Sequence, residues 1–365
     1  MKTFSFVSSL RKASIAVALI VAAAVPAWAG KYASIVVDMD SAKVLHARSA
    51  DETRYPASLT KVMTLYLVFD ALDAGTLKLT DRIPVSKFAS KQQPSKLGLK
   101  AGSTIKVEDA IRALVTKSAN DVAVVLAEKV GGSESKFAAK MTAKAKQLGM
   151  KDTTFKNASG LPNKAQVTTA RDMAKLAEAV YFDHKDRYKY FSTSEFVWNK
   201  RKYTNHNELL KQVAGVDGIK TGYTNASGYN LIASAERDGH RVIAVMLGGT
   251  TGRSRDQHVA DLLEAAFMEV NGVATAGLAD LRERIAFGEK NNSSADDLAL
   301  AQLRKFSEIG VDLASTATGE IIDAVNPSTD GNTSEDGDEG EPVAQGDSEQ
   351  GDADPAAAAT TQPAL

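Results

Sequence analysis

Apolar positions follow two rhythms along this chain. Near its start, Ala33-Ser34-Ile35-Val36-Val37-Asp38 and Lys43-Val44-Leu45-His46-Ala47 are β-type runs separated by Met39-Asp40-Ser41-Ala42, which predicts a hairpin. From Ser58 the rhythm becomes helical. Leu59, Val62, Met63, Leu65, Tyr66, Val68, Phe69 and Leu72 cover more than half a helical circumference, the pattern of a helix buried inside a protein, and Gly75 stops it. Val107 to Val115 and Asp121 to Val130 predict two more helices, with Ser118-Ala119-Asn120 in the turn between them, and Glu134 to Leu148 and Thr169 to Phe182 predict two further ones. β-type runs return at Gly218 to Thr221, Tyr229 to Ala235 and Arg241 to Leu247, separated by turns at Gly228 and Asp238-Gly239, and a last helix runs from Arg255 to Val270. Strands at both ends around a helical middle predict an α+β fold, in which an antiparallel sheet built from the two chain ends is covered by helices.

Beyond Asn271 the periodicity fades. Leu298 to Ile309 predicts a short helix within a linker over 272–325. From Asn326 to the last residue, 365, the chain is Gly, Asp, Glu, Ser, Pro and Ala with almost no large apolar residue, too little to offset the entropy of ordering, so a disordered acidic tail is expected. Charge divides at Lys305. All 44 Lys and Arg lie at or before it, with 31 of the 45 acids, so a body of +13 precedes a stretch with 14 acids and no bases that includes the tail. No basic-aromatic stripe accompanies the positive body, so nucleic acid is not expected as a partner; an anionic polymer of another kind fits the charge. The tail's own charge would be repelled by anionic headgroups, so no membrane anchor is expected there.

At the other end, Lys2, Arg11 and Lys12 precede an apolar stretch from Ala13 to Pro26, and Ala27-Trp28-Ala29 sets small residues where a signal peptidase needs them. The stretch is short of the roughly 20 residues that span a bilayer. A cleaved leader over 1–29, and export to a periplasm, are therefore expected. With no cysteine, disulfides and thiol catalysis are excluded. The five histidines form no His-x-x-x-His pair, and His206-Asn207-Glu208, the one His-x-Glu, has no further ligand in view; it reads as surface chemistry, and no cofactor or metal is expected.

Three short segments carry chemistry. Ser58-Leu59-Thr60-Lys61 sets a hydroxyl and an amine one helical turn apart, so that the amine can take the hydroxyl's proton if burial or nearby positive charge lowers its pKa. At a helix start the Ser58 N–H is also placed to donate to an oxyanion. The spacing alone is weak, because Ser9 with Lys12 and Ser133 with Lys136 share it; a capping serine and a surface lysine would account for any one of them. Ser118-Ala119-Asn120, the only Ser-x-Asn, offers a proton-relaying hydroxyl and a carbonyl-holding amide, with helix capping as the plain alternative. Lys220-Thr221-Gly222 occurs once, on a predicted strand: a positive charge, a hydroxyl for a carboxylate, and a glycine against which substrate can lie, with the Tyr223 N–H next in line as a second oxyanion donor. Its plain alternative is a strand ending in a glycine turn.

The three in this order resemble the set shared by penicillin-binding proteins and class A β-lactamases. Tyr55-Pro-Ala-Ser58-Leu-Thr-Lys61-Val-Met-Thr64 and Val216-Asp-Gly-Ile-Lys220-Thr-Gly-Tyr-Thr224 are similar to the signature stretches of serine D-alanyl-D-alanine carboxypeptidases, the low-molecular-mass penicillin-binding proteins. Asn157-Ala-Ser-Gly160-Leu161-Pro162 and Ser227-Gly228-Tyr229-Asn230 resemble other family stretches, and Gly252-Arg253 a turn whose arginine helps to hold the substrate carboxylate. The resemblance, from about Lys31 to Val270, implies a β-lactamase/transpeptidase-like catalytic domain (30–271) with a five-stranded antiparallel sheet flanked by helices. It implies Ser58, Lys61 and Ser118 as catalytic residues, and Asn120, Lys220, Thr221, Gly222, Tyr223 and Arg253 as substrate-binding ones. Its substrates would be peptidoglycan stem peptides, and β-lactams its covalent inhibitors. The second β-rich domain and C-terminal amphipathic helix common in the family are not evident in the sequence.

Three rivals share parts of this chemistry. A β-lactamase needs a deacylating glutamate between the second and third segments, where Glu178, Glu195 and Glu208 lie in unsuitable contexts. A D,D-endopeptidase would use the same residues on cross-links. A silent binder of wall peptides would have no need of Lys61.

Overall fold

The computed structural model describes residues 31–272, 284–286 and 289. The expected leader, the helix from Leu298 to Ile309 and the acidic tail lie outside the described residues.

The predicted hairpin is present as β1 (Ala33–Asp38) and β2 (Lys43–Arg48). It joins the later strands β7 (Val216–Thr224), β8 (Gly228–Arg237) and β9 (His240–Gly249) in one antiparallel sheet of order β2-β1-β9-β8-β7. The two chain ends therefore meet at the β1–β9 ladder, where Ile35 pairs with Val245. β7 lies at an edge of the sheet, with one side of its backbone unpaired by another strand.

Alternation assigns the two faces. Ile35, Val37, Ile219, Ile232, Ile243 and Val245 point into the main core, with the helical block. Val36, Leu231, Ala233, Val242, Ala244 and Met246 point the other way, against Val259, Leu262, Leu263 and Phe267 of the last helix. Because β9 is covered on both faces, Val242–Leu247 reads as an unbroken apolar run.

Six longer helices follow the predicted order: α1 (Thr60–Asp73), α2 (Val107–Thr116), α3 (Asn120–Gly131), α4 (Glu134–Gln147), α5 (Ala170–Asp183) and α6 (Gly252–Val270). Helix α1 is buried almost all round, as its pattern requires. Helix α6 starts three residues before its predicted start, because the Thr251 hydroxyl caps it and exchanges bonds with Ser254 in a capping box. Two small two-stranded sheets escaped the pattern: β3 (Arg82–Pro84) with β4 (Thr104–Lys106), and β5 (Glu195–Trp198) with β6 (Arg201–Thr204).

Candidate active site

Ser58 sits in a 3-10 turn, Ala57–Leu59, that leads into α1. The turn is forced. Ala57 lies in the left-handed region with φ +47, a conformation an alanine holds only when its surroundings impose it. Three neighbours impose it here. The buried Asn230 amide on β8 donates to the carbonyls of Tyr55 and Pro56, at 3.0 and 3.2 Å, and accepts from the Gly248 N–H at 2.9 Å. Gly160, at φ +88, packs its Cα side so closely that a Cβ would stand 1.9 Å from the Ala57 carbonyl oxygen. Gly222 of β7 brings its backbone beside the same turn: a Cβ there would lie 2.9 Å from the Ser58 nitrogen. Glycine is thus required at both positions for close backbone approach.

One turn into α1, Lys61 is fully buried directly beneath the half-buried Ser58. Its Nζ lies 3.0 Å from Ser58 Oγ, 2.8 Å from Asn120 Oδ1 and 2.5 Å from the Ser159 carbonyl oxygen. The Asn120 amide is oriented by its other end, where Nδ2 donates to the Gln93 carbonyl at 2.9 Å, so its oxygen must face Lys61. The Ser159 carbonyl is held in turn by Asn157, whose Oδ1 accepts from the Gly160 N–H at 2.7 Å, and by Thr64, whose hydroxyl donates to the Ala158 carbonyl. Burial above all, and then the Lys220 charge, push the Lys61 ammonium well below its ordinary pKa; the buried carboxylate of Asp121 opposes them.

A neutral Lys61 has two N–H bonds and one lone pair. Asn120 Oδ1 and the Ser159 carbonyl can only accept, so they take both N–H bonds. The lone pair is left for the third neighbour, the Ser58 hydroxyl, which donates to it. The geometry turns a buried amine into a base aimed at one hydroxyl.

Ser118 occupies the left-handed region at φ +57, and its buried Oγ makes no hydrogen bond among the described residues. The hydroxyl is presented to the cleft by a strained backbone instead of being used to cap α3. Lys220 is buried on β7 and donates to the Thr221 carbonyl at 2.9 Å; burial and then the Arg255 charge push its ammonium down to about 7. Thr221, Gly222 and Tyr223 continue along the edge strand into a cavity of about 700 Å³, lined also by Ser58, Ser118, Asn120, His206, Tyr229 and Arg255. The Tyr223 ring is half exposed and rests against Tyr229, with centroids 4.3 Å apart.

One expectation needs correction. Arg253 does not line this cavity; Arg255 does, buried, with Nη1 donating to the Asn230 carbonyl at 2.9 Å. Arg253 is exposed and lines a neighbouring cavity. His206, read as surface chemistry, is exposed, and it lines the Ser58 cavity as well. Crowding in the cleft, then Lys220, Lys117, Lys61 and Arg255, push its imidazole down to about 4, so it adds no charge to the site at neutral pH. The Gln93 carbonyl, the Ser159 carbonyl and the Pro94-Ser95 wall also went unread, since backbone groups leave no side-chain signature. Of the three interval glutamates, none lines the Ser58 cavity.

The chain matches the model of the D-alanyl-D-alanine carboxypeptidase family, peptidase S11, over residues 7–251. It is 36% identical over 247 residues to D-alanyl-D-alanine carboxypeptidase DacF of Bacillus subtilis, covering 65% of this chain and 62% of that one. It is 39% identical over 266 residues to D-alanyl-D-alanine carboxypeptidase DacC of Escherichia coli, covering 70% and 66%. Thus the match spans slightly under two thirds of the length of each of these relatives. Among solved structures, penicillin-binding protein D2 from Listeria monocytogenes in its cefotaxime-bound form aligns with a TM-score of 0.59 at 33% identity, over 64% of this chain and 96% of that one. With a family model matched over more than half its length, the chain belongs to the D-alanyl-D-alanine carboxypeptidase family.

Proposed function

We propose that the protein is a serine D-alanyl-D-alanine carboxypeptidase that removes the terminal D-alanine from peptidoglycan stem pentapeptides. The single observation that carries this is the Lys61 amine, buried under Ser58 with its two other neighbours able only to accept. Substrate lies along the unpaired edge of β7, its terminal carboxylate toward Arg255, Lys220 and Thr221. Ser58 Oγ attacks the carbonyl between the last two D-alanines as Lys61 takes its proton; the Ser58 and Tyr223 N–H groups receive the oxyanion. Ser118 and Lys220 pass a proton to the leaving amine, D-alanine departs, and water hydrolyses the Ser58 ester. Asn120 holds both Lys61 and the substrate carbonyl. β-Lactams acylate the same serine. The segment 1–29 serves as a cleaved export leader that delivers the catalytic domain, 30–271, to the periplasm.

The deciding experiment incubates the mature protein, and Ser58→Ala, with a fluorescent penicillin and with a pentapeptide ending in D-Ala-D-Ala. Stable labelling with release of D-alanine, both abolished in Ser58→Ala, is expected; absence of label in the wild type refutes the assignment.

A further inference from the structure

Beside Ser58 the main cavity opens into a recess of about 170 Å³, with which it shares Gly160, Leu161, Pro162, Thr224 and Ala226. The direction of β7 says which part of a substrate meets it. With the terminal carboxylate at Lys220 and Thr221 and the attacked carbonyl at the Tyr223 N–H, the part of the peptide that stays on Ser58 runs on along the edge strand past Thr224. The recess therefore borders the acyl side. Its walls are mostly carbon, from Pro56, Ala57, Leu161 and Pro162, and Lys164 stands at its rim. Lys164 is exposed, and its ammonium has no hydrogen bond or ion pair among the described residues. No Asp or Glu lines either the recess or the main cavity.

Hydrogen bonds fix this rim. The Gln166 N–H donates to the Asn163 carbonyl at 3.0 Å, closing a turn over Asn163 to Gln166, and the Ala165 N–H donates to Asn163 Oδ1 at 2.9 Å. The buried Gln166 side chain in turn accepts from the Lys156 and Asn157 N–H groups at 2.8 and 3.1 Å. Asn157 also holds the Gly160 N–H at 2.7 Å, so Lys164 rides on the same loop that presents the Ser159 carbonyl to Lys61.

We propose that the recess receives the side chain of the stem residue that precedes the two D-alanines, and that Lys164 selects a side chain ending in a carboxylate, as in a diamino dicarboxylic acid, over lysine. The inference rests on the carboxypeptidase reading and names the substrate class of that same site. This third residue lies one step, about 3.5 Å of extended chain, beyond the D-alanine that is acylated. Its aliphatic stem lies along Leu161 and Pro162, which takes apolar surface out of water, and its terminal carboxylate meets the Lys164 ammonium. The amine on the same terminal carbon faces solvent, since the recess holds no acid to receive it. A lysine side chain instead brings an ammonium against Lys164, and an amidated side chain loses the charge that Lys164 recognises. The contact is remote from the attacked carbonyl and persists through the reaction, so it acts on KM and leaves kcat.

The test measures D-alanine release from pentapeptides that differ only at the third residue: diaminopimelate, its side-chain amide, lysine and alanine. A fluorescent penicillin counts the intact sites in each preparation of wild type, Lys164→Ala and Lys164→Glu. Wild type is expected to favour the diaminopimelate peptide over each of the others by about fivefold in kcat/KM, the size that one exposed ion pair supports. Lys164→Ala should level the acid and its amide, and Lys164→Glu should put lysine ahead of diaminopimelate. Equal kcat/KM for acid and amide in the wild type overturns the proposal, as does a preference for the acid that survives Lys164→Glu. An alanine peptide cleaved as well as the diaminopimelate one leaves the recess without an occupant and overturns it too. D-Alanine released alike from every peptide, with penicillin labelling, leaves the carboxypeptidase reading standing while the proposal falls; neither label nor release removes both.

Discussion

Asn120→Asp replaces one nitrogen by oxygen and leaves the side-chain shape intact, yet it should disable the base. The new carboxylate oxygen would lie 2.8 Å from Lys61 Nζ, where Asn120 Oδ1 now lies. At an effective dielectric of about 20, Coulomb's law gives roughly 6 kcal/mol at that distance. That is about four pKa units at 1.36 kcal/mol per unit. Desolvation of the new carboxylate, and its repulsion from the Gln93 carbonyl that now accepts from Nδ2, offset about half. The sign is fixed: a neighbouring anion favours the ammonium, so the Lys61 pKa rises from its depressed value. The fraction of neutral amine at neutral pH then falls, and the rate of Ser58 acylation by a fluorescent penicillin should fall with it, by at least tenfold. The acylation rate, measured from pH 5 to 10, should recover as the pH rises in the variant, with its rise displaced to higher pH than in the wild type. A loss of the same size at every pH would refute the base role and leave Asn120 as a substrate contact only.

Gly160→Ala should push the Asn157–Gly160 turn off Ala57, since the added Cβ would stand 1.9 Å from a carbonyl oxygen and the residue sits at φ +88; acylation should drop more than 100-fold, and unchanged acylation would show that the turn yields freely. Arg255→Gln removes the charge that, after burial, depresses Lys220, so the Lys220 pKa should rise from about 7 and the alkaline limb of kcat/KM shift upward by about one unit. A pH profile with an unmoved limb would separate Lys220 from that limb. Asn230→Ala strips two buried carbonyls and one buried N–H of their partners, a loss of about 2–4 kcal/mol. Thermal unfolding should move down by roughly 5–12 °C, and a shift under 2 °C would mean that the turn finds other donors.

Long periodic segments made the fold legible, and short or backbone-driven features did not. The run from Val242 to Leu247 and the all-round apolar α1 each carry enough residues to show their period. Strands of three or four residues, such as Arg82–Pro84, are too brief to show alternation. The displacement of Arg253 by Arg255 has a specific cause. With a helix starting at Arg255, Arg253 stands in a free turn and is available to the cleft. Because Thr251 caps α6, both arginines belong to its first turns, and two residues at 100° each place them on nearly opposite faces. Only one can face Ser58, and the sheet's position selects Arg255. His206 lies in a stretch with no periodicity, so only the folded chain brings it beside Ser118 and Arg255.

Each of the three motifs has a plain structural alternative in the sequence, and the structure tests those alternatives directly. Were Ser58 a helix cap, its hydroxyl would serve the first turn of α1, but that helix has no side-chain cap. Were Lys61 a surface residue it would reach solvent, yet it is fully buried. Were Ser118 or Asn120 a cap for α3, one of them would bond its first N–H groups; that helix also lacks a side-chain cap, Ser118 Oγ is unbonded among the described residues, and Asn120 spans Lys61 and Gln93 instead. Burying two lysines within each other's field, with no ion pair to either among the described residues, costs stability that a hydrophobic pair would not. The Lys61 amine, which stability would assign to the surface, is turned toward the Ser58 hydroxyl, and Asn120, which it would assign to capping, is turned toward that amine. That expenditure is intelligible only as the making of a base.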